Sequence, residues 1–366
     1  MLQPSFCRAR QQRLLSVMHT RKLDAIVVGW RWHAYYLSGH RSFWQNESAL
    51  VLFADGRSLL VSENKPDPSA AADENVAYTA TFIGTHRPEQ ASLAAEKVLA
   101  ALASRRVRTI GLDSSAVSFE LGNRVDGQCT SIDADLWEMR RKKDPDELAI
   151  LRKAIDCTAA MHQRARQIIE PGIPELTVFG ELQSAAVNVA GEPLSDVLGN
   201  DYACGTKGGP PRKDRVAQAG ELYILDLGPA VSGYFADNSR AYSVDRKVTD
   251  AQHRAWEIVT GVFPIVESLA KPGARCRDIF GAIDSYYREK TGSGLPHHLG
   301  HGVGLRPHEF PHLNPNWDDV LLEGELFTCE PGLYGPELGG GMRLENQYLV
   351  TAKGVDNLTP FPLDLA

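Results

Sequence analysis

Five histidines crowd into residues 295–314, LPHHLGHGVGLRPHEFPHLN: His297, His298, His301, His308 and His312. A single histidine is usually a packed or surface residue. Five in twenty positions shift the balance toward a metal or proton-transfer site. The plainest pattern in the stretch misleads. His308-Glu309-Phe310-Pro311-His312 spells H-E-x-x-H, a zinc motif that works only on a helix, where positions i and i+4 share a face. Pro311 directly precedes the second histidine and Pro307 lies just upstream. A proline inside a helix costs roughly 3 kcal/mol through a lost hydrogen bond and a clash. The stretch is therefore expected to be extended, with the remaining metal ligands coming from elsewhere.

Carboxylates supply them. Asp226 and Asp237 lie on the strands Glu221–Leu227 and Tyr234–Val244, joined by a turn over 228–233. A hairpin centred near residue 230 or 231 sets Asp226 opposite positions 235 to 237, with side chains about 5 Å apart. Glu330 and Glu345 stand in the same relation on Leu326–Tyr334 and Met342–Thr351, almost symmetric about a turn near residue 338. Facing carboxylates among apolar neighbours repel and are poorly solvated. A shared proton relieves one pair. Two pairs plus an imidazole favour multivalent cations, and an oxygen-rich donor set suits two divalent ions such as manganese, cobalt or iron. The bland reading of either pair is a salt bridge, with Arg240 or Arg343 as partner.

The elements that position these residues follow from periodicity and caps. Ala9–Lys22 and Gln90–Arg105 are expected helices. Leu23–Val28 and Thr109–Leu112 are expected strands, and Ala49–Phe53 with Ser58–Val61 forms a hairpin around Asp55-Gly56. This front part is an α/β domain with a mixed sheet and no phosphate-cradling glycine loop. Trp30, Arg31, Trp32, His33 and Trp44 either line a binding surface or pack. The charge-rich Asp133–Lys143 reads as the connection between domains. Asp144 then caps a helix that opens on Pro145 and ends at Pro171-Gly172, and a second runs from Glu175 to Ala190. Further helices are expected over Thr249–Ala270, kinked at Pro264, and over Cys276–Lys290. The order helix, helix, strands occurs twice, an internal duplication.

Composition sets the outer bounds. A chain of 366 residues holds two domains with real cores. With 43% hydrophobic and 23% charged residues it reads as globular, and a net charge of −7 without a basic stripe argues against nucleic acid. The chain has no run of 18 apolar residues, and its first fifteen residues lack a signal-peptide core, so no membrane span is expected. Six scattered cysteines without C-x-x-C spacing read as reduced thiols in the cytoplasm.

Taken together, the chain resembles the pita-bread metallopeptidases (family M24), the group of methionine aminopeptidase, Xaa-Pro aminopeptidase and prolidase. The resemblance spans essentially the whole chain. Asp226 in ILDLG resembles the family's first metal carboxylate and Asp237 in GYFADNSR its bridging aspartate. His301 in LGHGVGL resembles the single histidine ligand, Glu330 in CEPGLYG the next ligand and Glu345 in MRLEN the bridging glutamate. His308 resembles the catalytic histidine beside the metals, His297 another pocket histidine, and Tyr334 and Arg343 supporting residues. One position departs from the pattern. Seventeen residues before Asp226 the family has a histidine near the scissile bond, and here stands Gly209.

The resemblance implies an α/β chain with a creatinase-like domain over 1–138 and a duplicated ααββ catalytic domain over 139–366. It implies two divalent ions, manganese first with cobalt, iron or zinc as alternatives, activating a water for attack on the amino-terminal peptide bond of a short peptide. Glu330 would take the water's proton and His308 would stabilise the oxyanion or leaving nitrogen. Xaa-Pro aminopeptidase or dipeptidase action is the expected activity, and a homodimer the expected assembly. Two rivals stand beside it: a metal-dependent lyase or amidohydrolase on the same scaffold, and a non-catalytic peptide-binding protein. The complete ligand set argues against the second.

Overall fold

Ala25–Val28 is buried at all four residues, as a strand covered on both faces must be. It lies inside a six-stranded mixed sheet with spatial order Glu74–Tyr78, Ser58–Glu63, Ala49–Phe53, Ala25–Val28, Thr109–Leu112, Gln128–Ser131. The computed structural model describes the backbone of residues 1–366 and the side chains of all but 197–200. Contacts divide the chain into two compact units, Met1–Arg140 and Arg141–Ala366.

In the first unit, helix Gln90–Ser104 lays Ala94, Ala95, Val98 and Leu102 on Ala25, Val27, Val51 and Phe53 of the sheet. Helices Pro4–Arg21 and Arg31–Ser38 complete its packing. The Asp55-Gly56 hairpin forms, with Gly56 at φ +83° and Ala49 paired with Val61. His33 is buried with Nδ1 3.0 Å from Asp113, and half-buried Trp30 packs edge-on against it. Trp44 is 64% exposed. The segment expected to connect the domains, Asp133–Lys143, is helical over Asp133–Arg141 with Leu136 buried, and the boundary between the two units falls within it.

In the second unit, helix Pro145–Ile168 opens on a capping box in which Asp144 and Glu147 satisfy each other's backbone amides. Helix Glu175–Ala190 ends on Gly191 in the left-handed region. Strand Leu222–Val231 carries Asp196–Cys204 on one side and Tyr234–Phe235 with Asn238–Ser243 on the other. The architecture then repeats. Helices Asp250–Thr260 and Val262–Leu269 break at Gly261, not at Pro264: a proline ring clashes with the carbonyl four residues back, here Thr260, so the helix yields upstream. Helix Cys276–Thr291 follows. A five-stranded sheet then runs Glu309–Leu313, Gly300–Gly302, Leu326–Cys329, Asn346–Val350, Val355–Asn357. The two long strands expected here are interrupted. Leu326–Cys329 pairs with Asn346–Val350, while Gly332–Gly335 pairs with Gly340–Arg343 as a separate arm. The helix-helix-strand duplication is therefore real, and Leu222, Val259, Ile283, Phe327 and Tyr348 share its core.

Candidate metal centre

The first hairpin turns two residues later than its glycines suggest. Ser232 and Gly233 form the tight turn, both with positive φ (+47° and +85°), as a two-residue connection matched to strand twist requires. Asp226 therefore faces Ser239, not positions 235 to 237, and Asp237 is its diagonal neighbour on the same face. In the second hairpin, Cys329 pairs with Asn346 and Gly332 with Arg343, and that common register sets Glu330 opposite Glu345 as expected. These carboxylates sit at the break between the paired stretches, so their side chains enter a pocket while neighbouring Leu344 and Cys329 enter the core.

His301, on the short strand Gly300–Gly302, completes the set. The cavity, about 180 Å³, is lined by Asp201, Asp226, Asp237, His298, His301, His308, Glu330 and Arg343. One donor atom each from Asp237, His301 and Glu345 lie within 4.8 Å of one another. His301 Nε2 is 3.2 Å from Glu330 Oε1 and 3.7 Å from Asp237 Oδ2. Its Nδ1 lies 3.0 Å from the Gly302 carbonyl and donates to it, so the proton sits on Nδ1 and Nε2 presents a lone pair. His301 Nε2 and Glu330 Oε1 are thus two acceptors facing each other. Asp226 Oδ1, Glu330 Oε1 and both oxygens of Glu345 are buried without a hydrogen-bond partner among the described residues. Buried acceptors of this kind are costly unless a cation meets them.

Electrostatics point the same way. Burial first, then repulsion from the other carboxylates, pushes Asp237, Glu330 and Glu345 well above the usual carboxylate range. Burial also raises Asp226 above its ordinary value. Burial lowers His301 to about 4, with repulsion from His312 added. It lowers His308 to about 4, with repulsion from His301 and His312 added. His298 falls to about 3 for the same leading reason. The imidazoles are therefore neutral and supply no countercharge. Donors on one ion, at bonds of about 2.1 Å and near right angles, stand ~3 Å apart. The observed 3.2 and 3.7 Å separations are of that order, and the residues fit divalent cations.

The remaining predicted residues surround this cluster. His308 stacks on His301 with ring centroids 3.6 Å apart and planes 14° from parallel. Tyr334 Oη donates to His297 Nε2 (2.8 Å) and accepts from Arg343 (3.3 Å), while His297 Nδ1 donates to the His298 carbonyl (2.7 Å). The H-E-x-x-H stretch is strand Glu309–Leu313, and His312 turns away to Asp319 and Trp317. The salt-bridge reading fails for Arg240, whose guanidinium binds backbone carbonyls of Ser239, Thr359, Phe361 and Pro362. Arg343 does reach Asp226 Oδ2, at 2.7 Å, but leaves Asp226 Oδ1 unmet. The sequence reasoning missed Asp201. It sits on strand Asp196–Cys204 directly across from Asp226, joined to Arg343 and to the Gly209 amide.

Fold and site together define a metallopeptidase. The chain belongs to metallopeptidase family M24, whose pattern matches residues 149–352, and the Creatinase/Prolidase N-terminal domain matches residues 10–142. Divalent metal ions are the cofactors of that family and peptides its substrates. The chain is 26% identical to "Putative dipeptidase YkvY" of Bacillus subtilis (strain 168), over 97% of this chain and 99% of the relative. Among solved structures it is similar to an Xaa-Pro dipeptidase from Bacillus anthracis (TM-score 0.84, 21% identity, 98% and 99% coverage). It is also similar to an X-Pro aminopeptidase from Thermotoga maritima MSB8 (TM-score 0.81, 23% identity, 97% and 98% coverage). Among the described residues no helix is long and apolar enough to cross a membrane.

Proposed function

We propose that the protein is a dinuclear-metal exopeptidase that removes the amino-terminal residue from short peptides, with proline after the cleaved bond. The observation that carries this reading is the convergence of Asp226, Asp237, His301, Glu330 and Glu345 with oxygens that no protein donor meets. These five would hold the ions. When bound, such ions lower the pKa of a water and polarise the substrate carbonyl.

The chain's own groups do the rest. Glu330, with Oε1 unmet, takes the proton of the attacking water. Neutral His308, locked by its stack on His301, offers a ring N–H to the developing oxyanion or leaving nitrogen. Tyr334, His297 and Arg343 form one hydrogen-bonded chain that fixes the wall of the site. The oxygen-rich donor set supports manganese, with cobalt, iron or zinc as alternatives. No disulfide joins the six cysteines, which supports a reducing, cytoplasmic setting. A homodimer is proposed by analogy with the proteins it resembles.

Gly209 keeps a second reading in view, a metal-dependent amidohydrolase or lyase. It adopts φ +124°, and a side chain there would meet nothing within 4 Å, so a group that the family places near the bond is replaced by open space. Turnover of Xaa-Pro dipeptides and tripeptides with added manganese decides between them. Release of free proline or of the amino-terminal residue supports the exopeptidase; inertness toward every peptide, with the metal bound, favours the second reading.

A further inference from the structure

Asp201 and Asp226 are directly paired on neighbouring antiparallel strands, and like charges so placed repel. Arg343 resolves the conflict. Its terminal nitrogen donates to Oδ2 of each, 2.7 Å from that of Asp226. Arg343 is itself nearly buried, at 8% exposure, so its charge has little solvent to screen it. Without Asp201 this guanidinium would face the carboxylate cluster as an uncompensated cation and compete with any metal for Asp226. With Asp201 the charge is shared, and Arg343 is held to one oxygen of Asp226 while Oδ1 remains open.

The other oxygen of Asp201 accepts the amide of Gly209. Gly208 and Gly209 both take φ +124°, backbone that side-chain-bearing residues rarely adopt, and a Cβ at Gly208 would run into the Asp201 carboxylate. The far side of the same loop is tied down by buried Glu175, which accepts from the amides of Cys204 (2.9 Å) and Arg212 (2.7 Å) and from the Arg212 guanidinium (2.6 Å). The glycine at 209 and the aspartate at 201 are therefore one arrangement: the backbone comes close because the carboxylate receives it.

The geometry points to Asp201 as a positioning residue that neutralises Arg343 and so keeps Asp226 available to a divalent cation. This rests on the metal reading above. The test is calorimetric titration of manganese alone into the metal-stripped full chain. Asp201→Asn, which keeps the shape, weakens binding about tenfold or more, ~1.4 kcal/mol. Arg343→Gln binds at least as tightly as the parent. In that background, Asp201→Asn costs less than about threefold, because the charge it neutralised is gone. Equal losses in both backgrounds, or none in the parent, overturn the proposal, since Asp201 would then act only through the glycine turn or not at all. If Asp201→Asn does not fold, Arg343→Gln still decides, and weaker binding by that variant sinks the idea. A parent protein that binds no manganese takes the metal reading down with it, an outcome distinct from a tight parent with an indifferent Asp201.

Discussion

His301 Nε2 and Glu330 Oε1 face each other at 3.2 Å, and the Gly302 carbonyl holds the imidazole proton on the opposite nitrogen. Once Glu330 is ionised, two lone pairs at that distance are tolerable only if a cation shares them.

Metal removal lowers stability, and the size of the loss depends on pH. In the metal-free fold the carboxyls of Asp237, Glu330 and Glu345 are raised by burial and mutual repulsion. The unfolded chain ionises them from about pH 4. Folding stability of the stripped protein is therefore fullest below that pH and falls as pH climbs toward the raised folded values. Cations reverse the loss. At one hundred times Kd, the gain is about 2.7 kcal/mol, or ~5–10 °C in Tm. Melting curves with chelator and with manganese, at pH 5 and pH 8, show a wider gap at pH 8; a wider gap at pH 5 would contradict the assignment.

Glu345→Gln separates stability from function. One repelling carboxyl disappears from a site where neither oxygen has a partner. The metal-free protein gains roughly 1 kcal/mol, about 2–4 °C, while metal content and peptidase activity collapse. Melting and elemental analysis on one preparation check both signs. A variant that melts lower without metal and still holds a full metal complement would be the opposite of what is expected.

His308→Ala touches chemistry and spares binding. The ring stacks on His301 but offers no atom to the carboxylate cluster at the distances seen for His301. Peptide turnover falls ~10²–10³-fold in kcat with metal stoichiometry unchanged. Loss of metal from this variant would place His308 among the ligands.

In the first unit His40 ties the end of strand Ser58–Glu63 to the loop after it, with Nδ1 2.8 Å from Asp67 and Nε2 3.1 Å from Glu63. Burial alone would lower it, but hydrogen bonds to Glu63 and Asp67 outweigh burial and raise it above 6.5. Its stabilising contribution is complete below pH ~6.5 and disappears as pH rises through the raised folded value. The same pair needs Glu63 and Asp67 ionised, and both carboxyls are depressed against the opposing effect of burial. The advantage of the parent over His40→Gln is thus greatest near pH 5–6 and shrinks above pH 7. Thermal melts across that range measure it, and an advantage that grows toward pH 8 would exclude the ion pair.

The second hairpin was legible from sequence because its glycine-rich turn is nearly symmetric about Glu330 and Glu345, and register follows from a turn's centre. The first was misjudged by two residues. Ser232 gives no hint that it takes positive φ, whereas Gly228 looks like a turn and is strand. Rejecting the helical H-E-x-x-H reading depended only on proline chemistry, and the strand Glu309–Leu313 obeys it. Asp201 was invisible for a different reason. Its meaning lies in pairing with Asp226 and in a salt bridge to Arg343, 142 positions away, and neither leaves a local pattern. Gly209 was noticed only as a missing histidine. That its amide meets Asp201 is a fact of tertiary approach.

Diffraction from manganese-soaked crystals, collected at the manganese absorption edge, tests the central claim most directly. Two anomalous peaks should stand within about 2.0–2.4 Å of oxygens from Asp226, Asp237, Glu330 and Glu345 and of His301 Nε2, with Arg343 still on Asp201. Featureless anomalous density there, with Arg343 swung across the carboxylates in place of ions, would contradict it.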